Sequence, residues 1–297
     1  MKHLITTADF SNSEIIKLFE DATIFEDLKS SNLLNGKLIV TLFFENSTRT
    51  RSSFEIAAKR LGAQVVNLEV NTSSTKKGET VEDTVANLNA MKPDAIIIRH
   101  SDCGLPESLK SYVNCPILNA GDGKNAHPTQ ALLDLFTIYK YYNGNIKNKS
   151  IAIVGDIANS RVAASNLELL PRFGLKPVLV APKKFKVKTK FKSTTNLKKV
   201  INNVDIIMSL RVQHERHNIS MLPEQLETEK KEYAKKYCIT KSLVKNRKNI
   251  ILMHPGPVNR NIDVSDDMIN DKRSKILEQV TNGVAIRMAC LKKLILN

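Results

Sequence analysis

The residues best suited to chemistry stand where apolar runs give way to helical patterns. The first such place reads Glu45-Asn46-Ser47-Thr48-Arg49-Thr50-Arg51-Ser52-Ser53-Phe54-Glu55. Hydroxyls and guanidinium groups gathered at a strand-to-helix turn make an anion site. The first N–H groups of a helix lack partners inside it, the positive end of its dipole faces them, and arginine adds paired contacts. Ser52 with Glu55 three residues later fits a capping box, so the spacing predicts a helix from about residue 52. A merely polar cap with surface arginines is the bland alternative, and two arginines interleaved with two threonines weigh against it. Arg99 ends another apolar run, and His127-Pro128-Thr129-Gln130 opens another helix. Pro128 suits the first helical position, which places His127 at the cap and Gln130 one turn in. A lone histidine at a helix start is more often structural. Arg49, Arg99 and His127 at three strand ends, on the edge where α/β proteins bind ligands, carry more weight together than any one of them.

The second half of the chain offers Arg161 after one apolar run and Arg211-Val212-Gln213 after another, a pair of arginines suited to a dicarboxylate. His254-Pro255-Gly256-Pro257 is either a rigid strand-ending turn or a stiff loop whose carbonyls accept hydrogen bonds from an amide. Gly155-Asp156 resembles the start of a dinucleotide fold. The continuation Ile157-Ala158-Asn159-Ser160-Arg161 lacks the second and third glycines, which argues against NAD. Cys103, Cys115, Cys238 and Cys290 show no CxxC spacing, so neither a metal nor a disulfide framework is expected. No cofactor is expected either.

These residues need strands and helices to position them. Continuous apolar runs suggest parallel strands at 38–44, 64–69, 94–99, 117–119, 150–154, 177–181, 205–210 and 250–253. Helical patterns lie near 12–29, 52–62, 80–91, 105–113, 128–142, 160–172, 196–203, 229–247 and 274–296. The alternation predicts an α/β fold of parallel sheets flanked by helices. The polar turn 143–149 between a helix and a fresh strand marks the passage from one domain to a second.

The chain of 297 residues carries a net charge of +15, with a lysine-rich run at 183–192. Such a balance admits nucleic-acid binding, a solvated basic surface, or a field that draws small anions. The absence of tryptophan and an aromatic content of 5% leave few stacking platforms, against the first of these. No apolar run has the length of a membrane span, and the start MKHLITTADFSNSE lacks the apolar core of a secretory signal. The expectation is a cytoplasmic protein.

In order along nearly the whole chain, Ser47-Thr48-Arg49-Thr50-Arg51, Arg99-His100, His127-Pro128-Thr129-Gln130, Arg211-Val212-Gln213 and His254-Pro255-Gly256-Pro257 resemble the motifs of the aspartate/ornithine carbamoyltransferase family. Lys76-Lys77-Gly78-Glu79-Thr80, Arg211 to Arg216 and Pro255 look like its aspartate branch. The ornithine enzymes typically carry His-Cys-Leu-Pro in the last motif. The resemblance implies two α/β domains with the active site in the interdomain cleft. Residues 1–130 with the C-terminal helix 283–297 would bind carbamoyl phosphate, and 131–282 L-aspartate. It implies transfer of the carbamoyl group to aspartate, a step of pyrimidine biosynthesis, by a homotrimer with sites shared between chains. Arg49 and Thr50, with Ser47 and Thr48, would grip the phosphate, while Arg99, His127 and Thr50 polarise the carbamoyl oxygen. Gln130 and the carbonyls around Gly256-Pro257 would hold the carbamoyl amide. Arg161, Arg211 and Gln213 would hold the aspartate carboxylates, and Ser73 and Lys77 would enter from a neighbouring chain. Regulatory chains stay open as partners, and the lysine-rich run follows from no family motif. A different amine acceptor such as ornithine is the nearest rival reading. A basic nucleic-acid-binding protein is the rival of another class, which a steep salt dependence of nucleic-acid affinity would reveal.

Overall fold

The run Leu38-Ile39-Val40-Thr41-Leu42-Phe43 is apolar and β-branched enough to sit inside a sheet covered on both faces, and it forms strand β1 (Leu38–Phe43). The computed structural model describes residues 1–69, 78–212 and 222–296. The chain divides into two compact units, Met1–Phe136 with Val280–Asn297, and Thr137–Gln279. In the first, β1 is joined by β2 (Gln64–Glu69), β3 (Ala95–His100) and β4 (Ile117–Asp122) in the order β2-β1-β3-β4, every pair parallel. Helices α1 (Asn12–Phe25), α2 (Thr48–Arg60), α3 (Val81–Ala90), α4 (Leu105–Ser108) and the start of α5 (Pro128–Tyr141) accompany this sheet. Val40, Leu42, Ile96, Ile98 and Ile117 join Val85 and Leu88 of α3 in one buried cluster.

The second unit holds β5 (Ser150–Val154), β6 (Lys176–Val180), β7 (Lys192–Thr194), β8 (Ile206–Ser209) and β9 (Ile251–Met253) in the parallel order β7-β6-β5-β8-β9. Its helices are α6 (Arg161–Leu169), α7 (Leu197–Ile201), α8 (Pro223–Tyr237) and α9 (Asp266–Ile269). The last helix, α10 (Ile276–Leu296), ends in the first unit. There Lys292 meets Asp21 at 2.6 Å and Lys293 meets Glu14 at 3.1 Å. Among the described residues no helix is long and apolar enough to cross a membrane.

Three elements differ from the sequence expectation, each for a local reason. Helix α2 begins at Thr48 rather than near 52, so Ser52 is an exposed residue inside the helix. Glu55 does not close a capping box: it takes hydrogen bonds from Lys59 at 2.6 Å and Asn67 at 3.0 Å. Helix α8 occupies Pro223–Tyr237 instead of 229–247. Pro223 fits its first turn, and at Cys238 the backbone turns extended so that Ile239 N–H can bond to Asp263 O at 3.0 Å. Strand β7 lies at the end of the lysine-rich run, too short and polar to show a strand pattern; lysine suits its edge position, where charge discourages further pairing. Within that run Phe185 is buried and Lys184 pairs with Glu229 of α8, so the segment is partly structural.

Candidate active site

Strand order decides where each unit can take a ligand. In the first sheet β1 has β2 on one side and β3 on the other. The connections after β1 and β3 therefore diverge, opening a crevice at their carboxyl ends. The residues leaving β1 run through Glu45 into the first turn of α2, and Arg99 stands at the end of β3. Ser47 is the N-cap of α2, yet its side chain makes no capping bond. Ser47, Thr48, Arg49 and Thr50 thus form the opening turn of a helix whose first N–H groups have no partners within the helix. Thr50 is buried, while Thr48 and Arg49 are exposed. Together they supply backbone donors, a hydroxyl and a guanidinium at the positive end of a dipole.

Arg99 is held from two sides. Its Nη1 donates to Ala120 O at 3.1 Å and its Nε lies 3.1 Å from Glu45 Oε2. Phe44 N–H donates to Arg99 O at 3.0 Å, which ties the exit of β1 to the end of β3. One strand further on, Asp122 organises the turn that delivers His127. Its oxygens accept from Ala126 N, Asn119 Nδ2, Gly104 N and Asn125 Nδ2, all at 2.9 Å. His127 then caps α5, its carbonyl accepting from Gln130 N at 3.0 Å, and the residue is buried. Gln130 Nε2 donates to buried Asp134 Oδ1 at 2.9 Å. A carboxylate only accepts, so this bond fixes the amide and turns Gln130 Oε1 away as an acceptor. Sequence reasoning missed Asp122 and Asp134; acidic residues beside an anion site attract no attention until their donors are seen.

The second sheet repeats the logic, with β5 flanked by β6 and β8. Leaving β5, the chain passes Gly155 and Asp156 and enters α6, where Ser160 Oγ accepts from Ala163 N at 3.2 Å and Arg161 is the first helical residue, buried. Gly155 adopts φ +127°, and a Cβ there would lie 2.7 Å from Leu210 O. The glycine is required by the close approach of the β5 and β8 exits, with no dinucleotide fingerprint involved. Arg211 follows β8 at that same divide. After β9, His254 Nδ1 accepts from Gly256 N at 2.9 Å, so the ring proton belongs on Nε2, which faces Asp263 Oδ2 at 3.3 Å. This pins the loop around the cis Gly256–Pro257 bond. Ser73, Lys77 and Gln213, expected in the site, lie outside the described residues.

Two parallel sheets, each with arginine at its topological switch point, define a two-unit α/β protein. The carbamoyl-phosphate-binding domain model of the aspartate/ornithine carbamoyltransferases matches residues 2–140, and their Asp/Orn-binding domain model matches 147–294. The chain belongs to the aspartate/ornithine carbamoyltransferase family. It is 64% identical to the aspartate carbamoyltransferase catalytic subunit of Aliarcobacter butzleri over 298 residues, covering 100% of this chain and 99% of that one. Among solved structures it resembles the catalytic subunit of M. jannaschii aspartate transcarbamoylase, with TM-score 0.86 and 35% identity over 99% of this chain and 98% of that one. It also resembles Trypanosoma cruzi aspartate transcarbamoylase in complex with carbamoyl phosphate and aspartate, with TM-score 0.89 and 32% identity over 99% and 96%.

Proposed function

We propose that this chain is the catalytic chain of an aspartate carbamoyltransferase, which moves the carbamoyl group of carbamoyl phosphate to the amine of L-aspartate and releases phosphate. The observation that carries the reading is the pairing of two arginine-bearing switch points with relatives named for this reaction. Ornithine would bring an extra ammonium, which favours acidic or neutral partners over the paired Arg161 and Arg211. A surface for nucleic acid is further disfavoured by the burial of Phe185 within the basic run.

In this reading the start of α2 receives the phosphate: Arg49 and Thr50 bind it, with Ser47 and Thr48 beside them. Arg99, His127 and Thr50 face the carbamoyl oxygen, where negative charge grows as the aspartate amine attacks the carbonyl carbon. Gln130 Oε1 and the carbonyls near Gly256 and Pro257 accept the carbamoyl N–H groups, which selects an amide over an acetyl group. Arg161, Arg211 and Gln213 hold the two carboxylates of aspartate. The C–N bond forms, the tetrahedral intermediate collapses, and the C–O bond to phosphate breaks. The departing phosphate takes the proton that the amine loses. Fixed cations and oriented donors, rather than a nucleophilic side chain, supply the stabilisation.

The working assembly in this reading is a cytoplasmic homotrimer in which Ser73 and Lys77 of one chain complete the site of its neighbour. Colorimetric detection of ureido products tests the reaction. Purified protein with carbamoyl phosphate should yield carbamoyl-aspartate and little carbamoyl-ornithine. Equal yields, or product from ornithine alone, would overturn the assignment.

A further inference from the structure

Arg287 is a buried cation that none of these steps uses. It stands on α10 with 4% of its surface exposed. Its Nη1 donates to Ser53 Oγ at 2.9 Å and to Gly283 O at 3.1 Å, and the guanidinium lies 5.0 Å from the centre of the Phe54 ring. Desolvation lowers the guanidinium to about 10, while Cys290 and Asp134 act in the opposite sense, so it stays charged near neutral pH. Gly283, one turn earlier on the helix, makes the room. A Cβ at that position would lie 2.8 Å from Arg287 Nη1 and 3.1 Å from Leu133 Cδ2 of α5. Glycine inside a helix of 21 residues runs against helix propensity, and here the space goes to the guanidinium and to the close approach of α5.

The residues around this cation belong to the two helices that begin in the first half-site. Ser53 lies three residues beyond Thr50 on α2, so the two share a helix face. Asp134 lies one turn beyond Gln130 on α5 and accepts its side-chain N–H at 2.9 Å. We infer that Arg287 is a positioning residue, holding the starts of α2 and α5 at a fixed spacing and thereby setting Thr50 and Arg49 against His127 and Gln130. The C-terminal helix thus takes part in anion binding without touching the anion. Removing the guanidinium would take away the Ser53 contact and empty the space that Gly283 leaves between α10 and α5, letting the two helix starts drift. A cavity left among packed helices is relieved by movement of the elements around it. The inference rests on the assignment of the first unit to carbamoyl phosphate.

The test compares Arg287→Met with Leu34→Ala in the full-length protein. Leu34 is fully buried and its backbone N–H donates to Leu61 O at the far end of α2, so truncating its side chain removes core packing beside that end of the helix, away from the site. Inorganic phosphate is titrated by calorimetry, and steady-state rates are measured beside thermal melts. Arg287→Met should weaken phosphate at least tenfold and raise the carbamoyl-phosphate KM in parallel. The aspartate requirement at saturating carbamoyl phosphate should stay within twofold, and Arg287→Lys should fall between parent and Met. Leu34→Ala should melt lower yet keep phosphate affinity within twofold. Unchanged phosphate binding in Arg287→Met, or equal weakening in Leu34→Ala, would overturn the inference. If Arg287→Met does not fold, Ser53→Ala decides: a threefold or greater weakening supports it and parental affinity overturns it. A parent protein that binds phosphate but transfers no carbamoyl group sinks the assigned reaction and leaves the phosphate comparison to judge Arg287 alone.

Discussion

Glu45 Oε2 lies 3.1 Å from Arg99 Nε, and both residues sit at the crevice between the exits of β1 and β3. The carboxylate thus helps to orient a guanidinium assigned to the carbamoyl oxygen. Arg99 keeps its second tie to Ala120 O at 3.1 Å, which limits how far it can move when Glu45 is cut back.

Glu45→Ala should therefore impair catalysis more than stability. A partly exposed ion pair contributes about 0–1 kcal/mol, so the melting midpoint should shift by only a few degrees. Misplacing a group at the reacting atoms costs far more, and turnover should fall on the order of tenfold to a hundredfold. Glu45→Gln keeps the size and polarity of the side chain beside Arg99 but not its charge, and should lie between. Steady-state kinetics beside thermal melts check this; a variant that loses stability but not turnover contradicts it.

The second unit makes a prediction about acid. Asp271 receives Arg273 Nε at 2.8 Å, Arg273 Nη2 at 2.9 Å and the Arg273 backbone N–H at 3.0 Å. These bonds, the side-chain ones foremost, hold its carboxyl well below the usual carboxylate range. A depressed folded pKa gives stability that is complete above the unfolded value of about 3.9 and is lost as pH falls toward the folded value. Asp271→Asn should thus cost about 3 kcal/mol or more near neutral pH, since it leaves a mostly buried arginine without its counter-charge. That gap should narrow steadily between about pH 4 and pH 2. Urea melts across this range measure it, and a constant gap would contradict the assignment.

Shared sites predict complementation. Lys77→Ala and His127→Ala preparations should each be inactive, and dissociating and remixing them should restore activity. In a closed cyclic trimer every mixed ring has one interface where an intact His127 meets an intact Lys77. Random equal mixing makes about three-quarters of rings mixed, with one native site in three, so about a quarter of parental activity should return. No recovery, with subunit exchange demonstrated by labelled chains, would confine each site to one chain.

How much of this was legible in the residues differs by element. Arg49, Arg99, Arg161 and Arg211 could be found because each follows an apolar run, and parallel strands put those ends on one edge. The start of α2 was misread because Ser52 and Glu55 carry a recognised capping pattern. The true N-cap, Ser47, makes no side-chain bond and so leaves no signature. A helix start without a side-chain cap looks, in sequence, like a turn. Asp122 and Asp134 were invisible for a related reason. Their work is to accept from backbone N–H groups and from Gln130, and such pairings depend on distances no spacing rule encodes. Strand β7 was hidden because an exposed edge of three residues needs no apolar pattern.

The central claim is a division of labour, carbamoyl phosphate to the first switch point and aspartate to the second, and a crossed pair of arginine substitutions tests it most directly. Losing a charge-assisted contact to a bound anion costs about 2–5 kcal/mol, on the order of 30-fold or more in affinity. Arg49→Ala should raise the carbamoyl-phosphate requirement by at least that factor, with the aspartate requirement at saturating carbamoyl phosphate within about threefold of the parent. Arg211→Ala should do the reverse. Equal effects of either substitution on both substrates, or the opposite crossing, would contradict the account.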